Sequence, residues 1–182
     1  MAQSTALVKS PYIVSAPATW TVEHFSLPPE FSPLLPWKGQ EEIRLHPNWT
    51  QPEKDGYWSY VYLWWINGNA PVDAGILKEN LQIYYDGLLN HLIPKDFPVD
   101  KITRSVAIVQ KIKTDHGDKQ TFAGQVAMLN FMSQRPIVLF VVIHVKEIGS
   151  AQNTAVRVEA SPKTAEHSVW KELKAIRIEF KD

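Results

Sequence analysis

Tyr57-Trp58-Ser59-Tyr60-Val61-Tyr62-Leu63-Trp64-Trp65-Ile66 holds three of the seven tryptophans and three of the six tyrosines of the 182-residue chain. Aromatic and β-branched residues dominate it, and Gly56 and Asn67-Gly68 bound it, so it reads as a β-strand. Side chains alternate along a strand. Trp58, Tyr60, Tyr62 and Trp64 therefore share one face, and Tyr57, Ser59, Val61, Leu63 and Trp65 share the other. Both faces are bulky and both need cover.

The nearest cover in sequence is the helix that follows. Asp73 is placed to cap it, and Leu77, Leu81, Tyr84, Leu88 and Leu92 recur at steps of four, three, four and four to make one apolar stripe. Pro94 ends it. The second half reads as strands: Ile102 to Lys113, Thr121 to Asn130, Ile137 to Val145 and Ala155 to Glu159, with Asp115-His116-Gly117-Asp118 as a tight turn. Ser161-Pro162 reads as the start of a last helix. Residues 176–180 fit helix and strand alike, because Ile176, Ile178 and Phe180 alternate while Val169, Leu173, Ile176 and Phe180 keep helical spacing.

Upstream, eight of the thirteen prolines lie before residue 57, which excludes long helices there. Two short strands fit between them, Thr19 to Leu27 and Glu41 to His46. The connection from Pro28 to Gln40 carries Phe31, Leu34, Leu35 and Trp37, too apolar for a free linker. The expected fold is α+β: one domain over residues 1–182, a single mainly antiparallel sheet of about six or seven strands with two helices packed on it, and a proline-rich arm (about residues 1–56) folded against the core.

Nineteen basic residues balance nineteen acidic ones, so no net field draws the chain to nucleic acid. Absence of cysteine excludes disulfides, thiolate metal sites and a cysteine nucleophile. The longest apolar run, Pro136 to Val145, is about half the ~20 residues a membrane helix needs. The opening Met1-Ala2-Gln3-Ser4-Thr5-Ala6 lacks a signal-peptide pattern and suits a mature exported chain, periplasmic or secreted, as well as a cytosolic one.

Glycines are too scattered to cradle a phosphate, no serine elbow is present, and no two histidines keep a ligand spacing. No metal and no cofactor are therefore expected. His24, His46 and His144, with Glu23, Glu41, Glu42 and Asp55, would be the material of a hydrolase-like acid–base site, although each reads more simply as a surface or structural residue. Glu41 and Glu42 point to opposite faces of a strand and read as an edge-strand solubility feature. Lys111, Lys113 and Lys119, mixed with Asp115 and Asp118, read as a solvated hairpin tip.

All six tyrosines and six tryptophans precede residue 86. Such residues suit surfaces that are half apolar and half wet. The leading expectation is a non-enzymatic binding or accessory module whose ligand site is Trp58, Tyr60, Tyr62 and Trp64, taking a small molecule, a glycan or a protein. Two alternatives remain: the hydrolase-like enzyme, and a structural protein that uses the aromatic face as a homo-oligomer interface. If the two helices share one face, the other stays open, with Thr103, Ser105, Ala107, Ala123, Gln125 and Ala127 as a floor of small residues and the four aromatics as a wall. If the arm folds over the aromatics, they are core.

Overall fold

The computed structural model describes residues 10–149 and 151–181, so the expectation attached to Met1–Ala6 lies outside the described residues. Strands β1 (Tyr12–Ser15), β2 (Thr21–Leu27), β3 (Gly39–Leu45) and β4 (Tyr60–Asn67) lead into helix α1 (Ala74–Leu92). Then come β5 (Val106–Lys111), β6 (Gln120–Asn130), β7 (Arg135–Ile148) and β8 (Asn153–Ser161), helix α2 (Val169–Ala175) and β9 (Arg177–Phe180). Seven strands form one antiparallel sheet in the order β2-β3-β4-β8-β7-β6-β5, and β1 pairs with β9 in a separate ribbon. The fold is α+β and mostly sheet, as the sequence predicts.

The aromatic strand is buried on both faces because it is central and covered twice. On one face Tyr60, Tyr62, Trp64 and Ile66 join Ile43 and Leu45 of β3, Val156 and Val158 of β8, and the inner residues of β5–β7 under α1. On the other, Val61 packs with Trp20 and with Val169, Trp170, Leu173 and Ile176 of the α2 region. Leu63 and Trp65 pack under Tyr12 and the β1–β9 ribbon. The helices thus lie on opposite faces and do not share one.

Helix α1 begins as the sequence indicates, Asp73 Oδ1 accepting from the Ile76 N–H (2.8 Å). Its stripe is buried at Leu77, Leu81 and Tyr84, half-buried at Leu88, and exposed at Leu92 where the helix runs past the sheet. Gln82 and Asp86 reach the edge strand: the Ala107 N–H donates to Gln82 Oε1 (3.1 Å) and the Ser105 N–H to Asp86 Oδ1 (2.6 Å). Side chains of the helix so occupy the first free donors of an edge that would otherwise be open to another strand.

The close approach of α1 to β5 corrects the small-residue floor. Ala107 is small and buried because the helix crosses there, while Val106 and Ile108 of the same strand face solvent. In β6 the inner residues are Phe122, Val126 and Met128, and Ala127 is exposed. Register pairs Val106 with Ala127 and Ala107 with Val126, so Ala107 and Ala127 lie on opposite faces and no continuous floor exists. Two further readings are corrected. Ser161 ends β8, and α2 starts only at Val169, seven residues after Pro162; residues 177–180 are strand. Glu41 and Glu42 are both buried, because β3 is an interior strand flanked by β2 and β4.

Candidate functional site

The arm settles half of the aromatic question by covering one end of the strand. Trp37 packs edge-on against Trp64 (5.4 Å between centroids) and Leu35 is buried, whereas Leu34 points to solvent. Phe31 stands over Tyr84 (5.3 Å) and Phe25 (5.7 Å). This segment is held tightly to α1: the Ser32 hydroxyl donates to the Ile83 carbonyl (3.0 Å), and a Cβ on Gly87 would sit 2.3 Å from the Phe31 carbonyl oxygen. Only glycine allows that approach.

The other end of the strand stays open. Phe31, Trp49, Trp58, Tyr60, Tyr84 and Phe131, with aliphatic side chains from β3 and α1, enclose a cavity of about 350 Å³. Its volume is within the usual range of small-molecule sites, and its walls are mostly aromatic and aliphatic. Besides the phenols of Tyr60 and Tyr84, half-buried Glu23 and exposed His91 are the titratable groups on its lining.

Trp58 is the member whose placement is most constrained. It ends the loop between β3 and β4, which closes on itself: the His46 N–H donates to the Ser59 carbonyl (3.1 Å) and the Trp58 N–H to the Trp49 carbonyl (2.9 Å). Its φ is +52°, a left-handed conformation that a bulky side chain adopts at a cost. The indole is 1% exposed, wedged against Phe131 (5.2 Å), Trp49 (6.3 Å) and Tyr60 (6.3 Å), and its Nε1 finds no hydrogen-bond partner among the described residues. Phe131 reaches it from the β6–β7 turn, which Asn130 ties to the same loop by donating to the Tyr57 hydroxyl (2.7 Å).

Behind the cavity is a set of buried hydroxyls. Tyr60 and Tyr85 share a hydrogen bond (2.7 Å), and Tyr62 stacks on Tyr84 (5.4 Å, 13° between planes) with its own hydroxyl unpartnered. Burial keeps the Tyr60, Tyr62 and Tyr84 phenols well above their ordinary value, so all are neutral. Glu41 lies among them. Trp64 Nε1 donates to one of its oxygens (3.0 Å), the Tyr84 hydroxyl is close by, and the second oxygen has no well-formed hydrogen bond. Burial pushes its carboxyl up to about 7, the Tyr84 and Trp64 donors opposing only part of the rise and the Glu23 charge adding to it.

Of the four aromatic residues expected to form a ligand site, Trp58 and Tyr60 line the cavity, while Tyr62 and Trp64 lie beneath Tyr84 and Trp37. Phe25, Phe31, Trp49 and Phe131 join them from a neighbouring strand, the arm, a loop and a hairpin turn. These could not be read from the aromatic strand. Proline and glycine mark their loops without saying where they fold back.

The histidines do not converge. His24 pairs loosely with Glu42 (3.6 Å) at the surface, and Glu42 is itself paired with Arg44. His46 meets Glu172 (3.1 Å). His144, 2.7 Å from Asp118, belongs to a separate cleft on the opposite face. Comparison with protein-family profiles, with curated proteins and with solved structures finds no match for the chain.

Proposed function

We propose that the chain is a non-enzymatic binding module that holds a small, apolar, ring-bearing molecule in the cavity beside Trp58. The observation that carries this reading is the conjunction at Trp58: a strained backbone holds a buried indole as part of the backing of a ready-formed aromatic cavity. Strain of this kind persists where the surroundings over-determine it, and it gathers at ligand sites. An apolar cavity of about 150 Å³ accepts benzene, so about 350 Å³ has room for roughly two fused rings. Neutral tyrosines and an aromatic wall suit stacking, not proton transfer.

Two-dimensional spectra of the tryptophan indole N–H groups during titration with toluene and then naphthalene test this. Trp58 and Trp49 should shift saturably, while Trp170, packed on the other side of the sheet, should not. Absence of a saturable shift at both Trp58 and Trp49, or equal shifts at Trp170, would overturn the reading.

A further inference from the structure

On the face opposite the aromatic cavity, the β5–β6 turn folds back over β7. Gly117, at φ +85°, lets residues 115–118 close tightly, the Asp118 N–H donating to the Asp115 carbonyl (3.1 Å). Both aspartates then face His144: Asp118 Oδ2 lies 2.7 Å and Asp115 Oδ2 3.8 Å from His144 Nδ1. The ligand-type atoms of the three residues all fall within 4.8 Å of one another. Two cis ligands of one divalent ion, each at ~2.1 Å, stand ~3 Å apart, so these donors need little movement to share an ion. A cleft of about 200 Å³ beside them, roofed by Ile178 and Phe180 of β9, leaves space for coordinated water.

The second observation lies behind the imidazole. Glu159 is 1% exposed, one of its oxygens has no partner, and the other stands 3.7 Å from His144 Nε2. Arg157 holds that second oxygen at 2.7 Å. At 3.7 Å this buried carboxylate is beyond hydrogen-bond reach of Nε2, and it acts on the ring through charge, favouring the tautomer that carries its proton on Nε2 and leaves the Nδ1 lone pair for a ligand. Asp118 is itself held, accepting from the Thr121 hydroxyl (2.7 Å), and Thr121 in turn accepts from the Asp115 N–H (2.8 Å). Lys146, 3.8 Å from Asp118 Oδ1 and partly exposed, neutralises the aspartate in the absence of an ion and is free to swing into solvent.

We propose that Asp115, Asp118 and His144 form a binding site for a first-row divalent metal ion, completed by water from the cleft. Two carboxylates and one imidazole suit ions from Mn²⁺ to Zn²⁺ better than Mg²⁺, which prefers oxygen alone. Ligation through Nδ1 needs that nitrogen unprotonated, so as the ion enters the proton of the His144–Asp118 hydrogen bond moves to Nε2 or leaves to water. The proposal reverses the expectation of no metal: the ligands come from a turn and a strand about 26 residues apart, where no helical spacing could reveal them.

Calorimetric titration of the untagged chain with Mn²⁺ and with Zn²⁺ tests it. One equivalent should bind, and Asp115→Asn and His144→Gln should each weaken binding by more than tenfold. Glu159→Gln, which supplies no ligand atom, should weaken it severalfold by removing the charge beside His144 Nε2. Asp115 is exposed and its substitution leaves the fold intact, so it decides the matter if the His144 variant does not fold. No saturable binding of either ion, or unchanged affinity in Asp115→Asn, would overturn the proposal.

Discussion

At Trp58 and Glu41 the chain carries two local costs that its packing has to offset. Replacing Trp58 or Tyr62 by alanine empties a large, fully enclosed volume and should lower stability by about 3–5 kcal/mol in chemical denaturation. A loss below 1 kcal/mol at Tyr62 would mean that the strand is not covered as described. Glu41 makes a prediction with a sign. Its carboxyl titrates near 4.5 when unfolded and about 7 when folded, so the folded state holds the proton more tightly. Stability from this group is greatest below about 4.5, falls as pH rises, and is lost above about 7. The difference is on the order of 3 kcal/mol. Glu41→Gln should flatten this slope and melt higher than the parent at pH 8; a parent whose melting temperature rises between pH 5 and 8 for want of any such slope would contradict the assignment.

Among the elements, α1 was the most legible, because a cap, an i/i+3/i+4 stripe and a terminal proline all agree. Leu81→Ala should cost about 2–5 kcal/mol, checked by equilibrium unfolding. What the stripe did not reveal is how far the helix travels: Leu92 overhangs the sheet, and the arm, not the sheet, covers the stretch near Gly87. Gly87→Ala should therefore push Phe31 off the cavity, lowering stability by about 1–3 kcal/mol and weakening toluene binding together. Unchanged unfolding and unchanged binding would show that the arm is not seated there. β4 was legible as a strand but not as to facing, since both of its sides are bulky. Glu41 and Glu42 misled because charge suggests an edge, and only the partners Trp64 and Arg44 make an interior position tolerable.

For the molecule as a whole, antiparallel pairing of consecutive strands and the α+β class were readable, but the β4–β8 pairing that joins the two halves of the sheet was not. The covering of the second face was not, because α2, Trp20 and the β1–β9 ribbon are short pieces from distant parts of the chain. Their cover stops short of the β5 end of the sheet, where Val106 and Ile108 of β5 and Val138 of β7 remain exposed. Ile108→Lys should change stability by no more than about 0.5 kcal/mol, whereas Leu173→Ala on the buried face of α2 should cost about 2–5 kcal/mol. Equal losses at both positions would contradict the two-sided arrangement. The arm, the β3–β4 loop, the β6–β7 turn and α1 together leave an apolar cavity beside Trp58. A crystal structure of the full chain under xenon pressure tests it most directly. Xenon density is expected between Trp58, Phe31 and Tyr84, with Phe131 and Trp49 in place; a collapsed space, with Phe31 or Leu88 packed onto Trp58 and no xenon there, would show that the cavity does not exist.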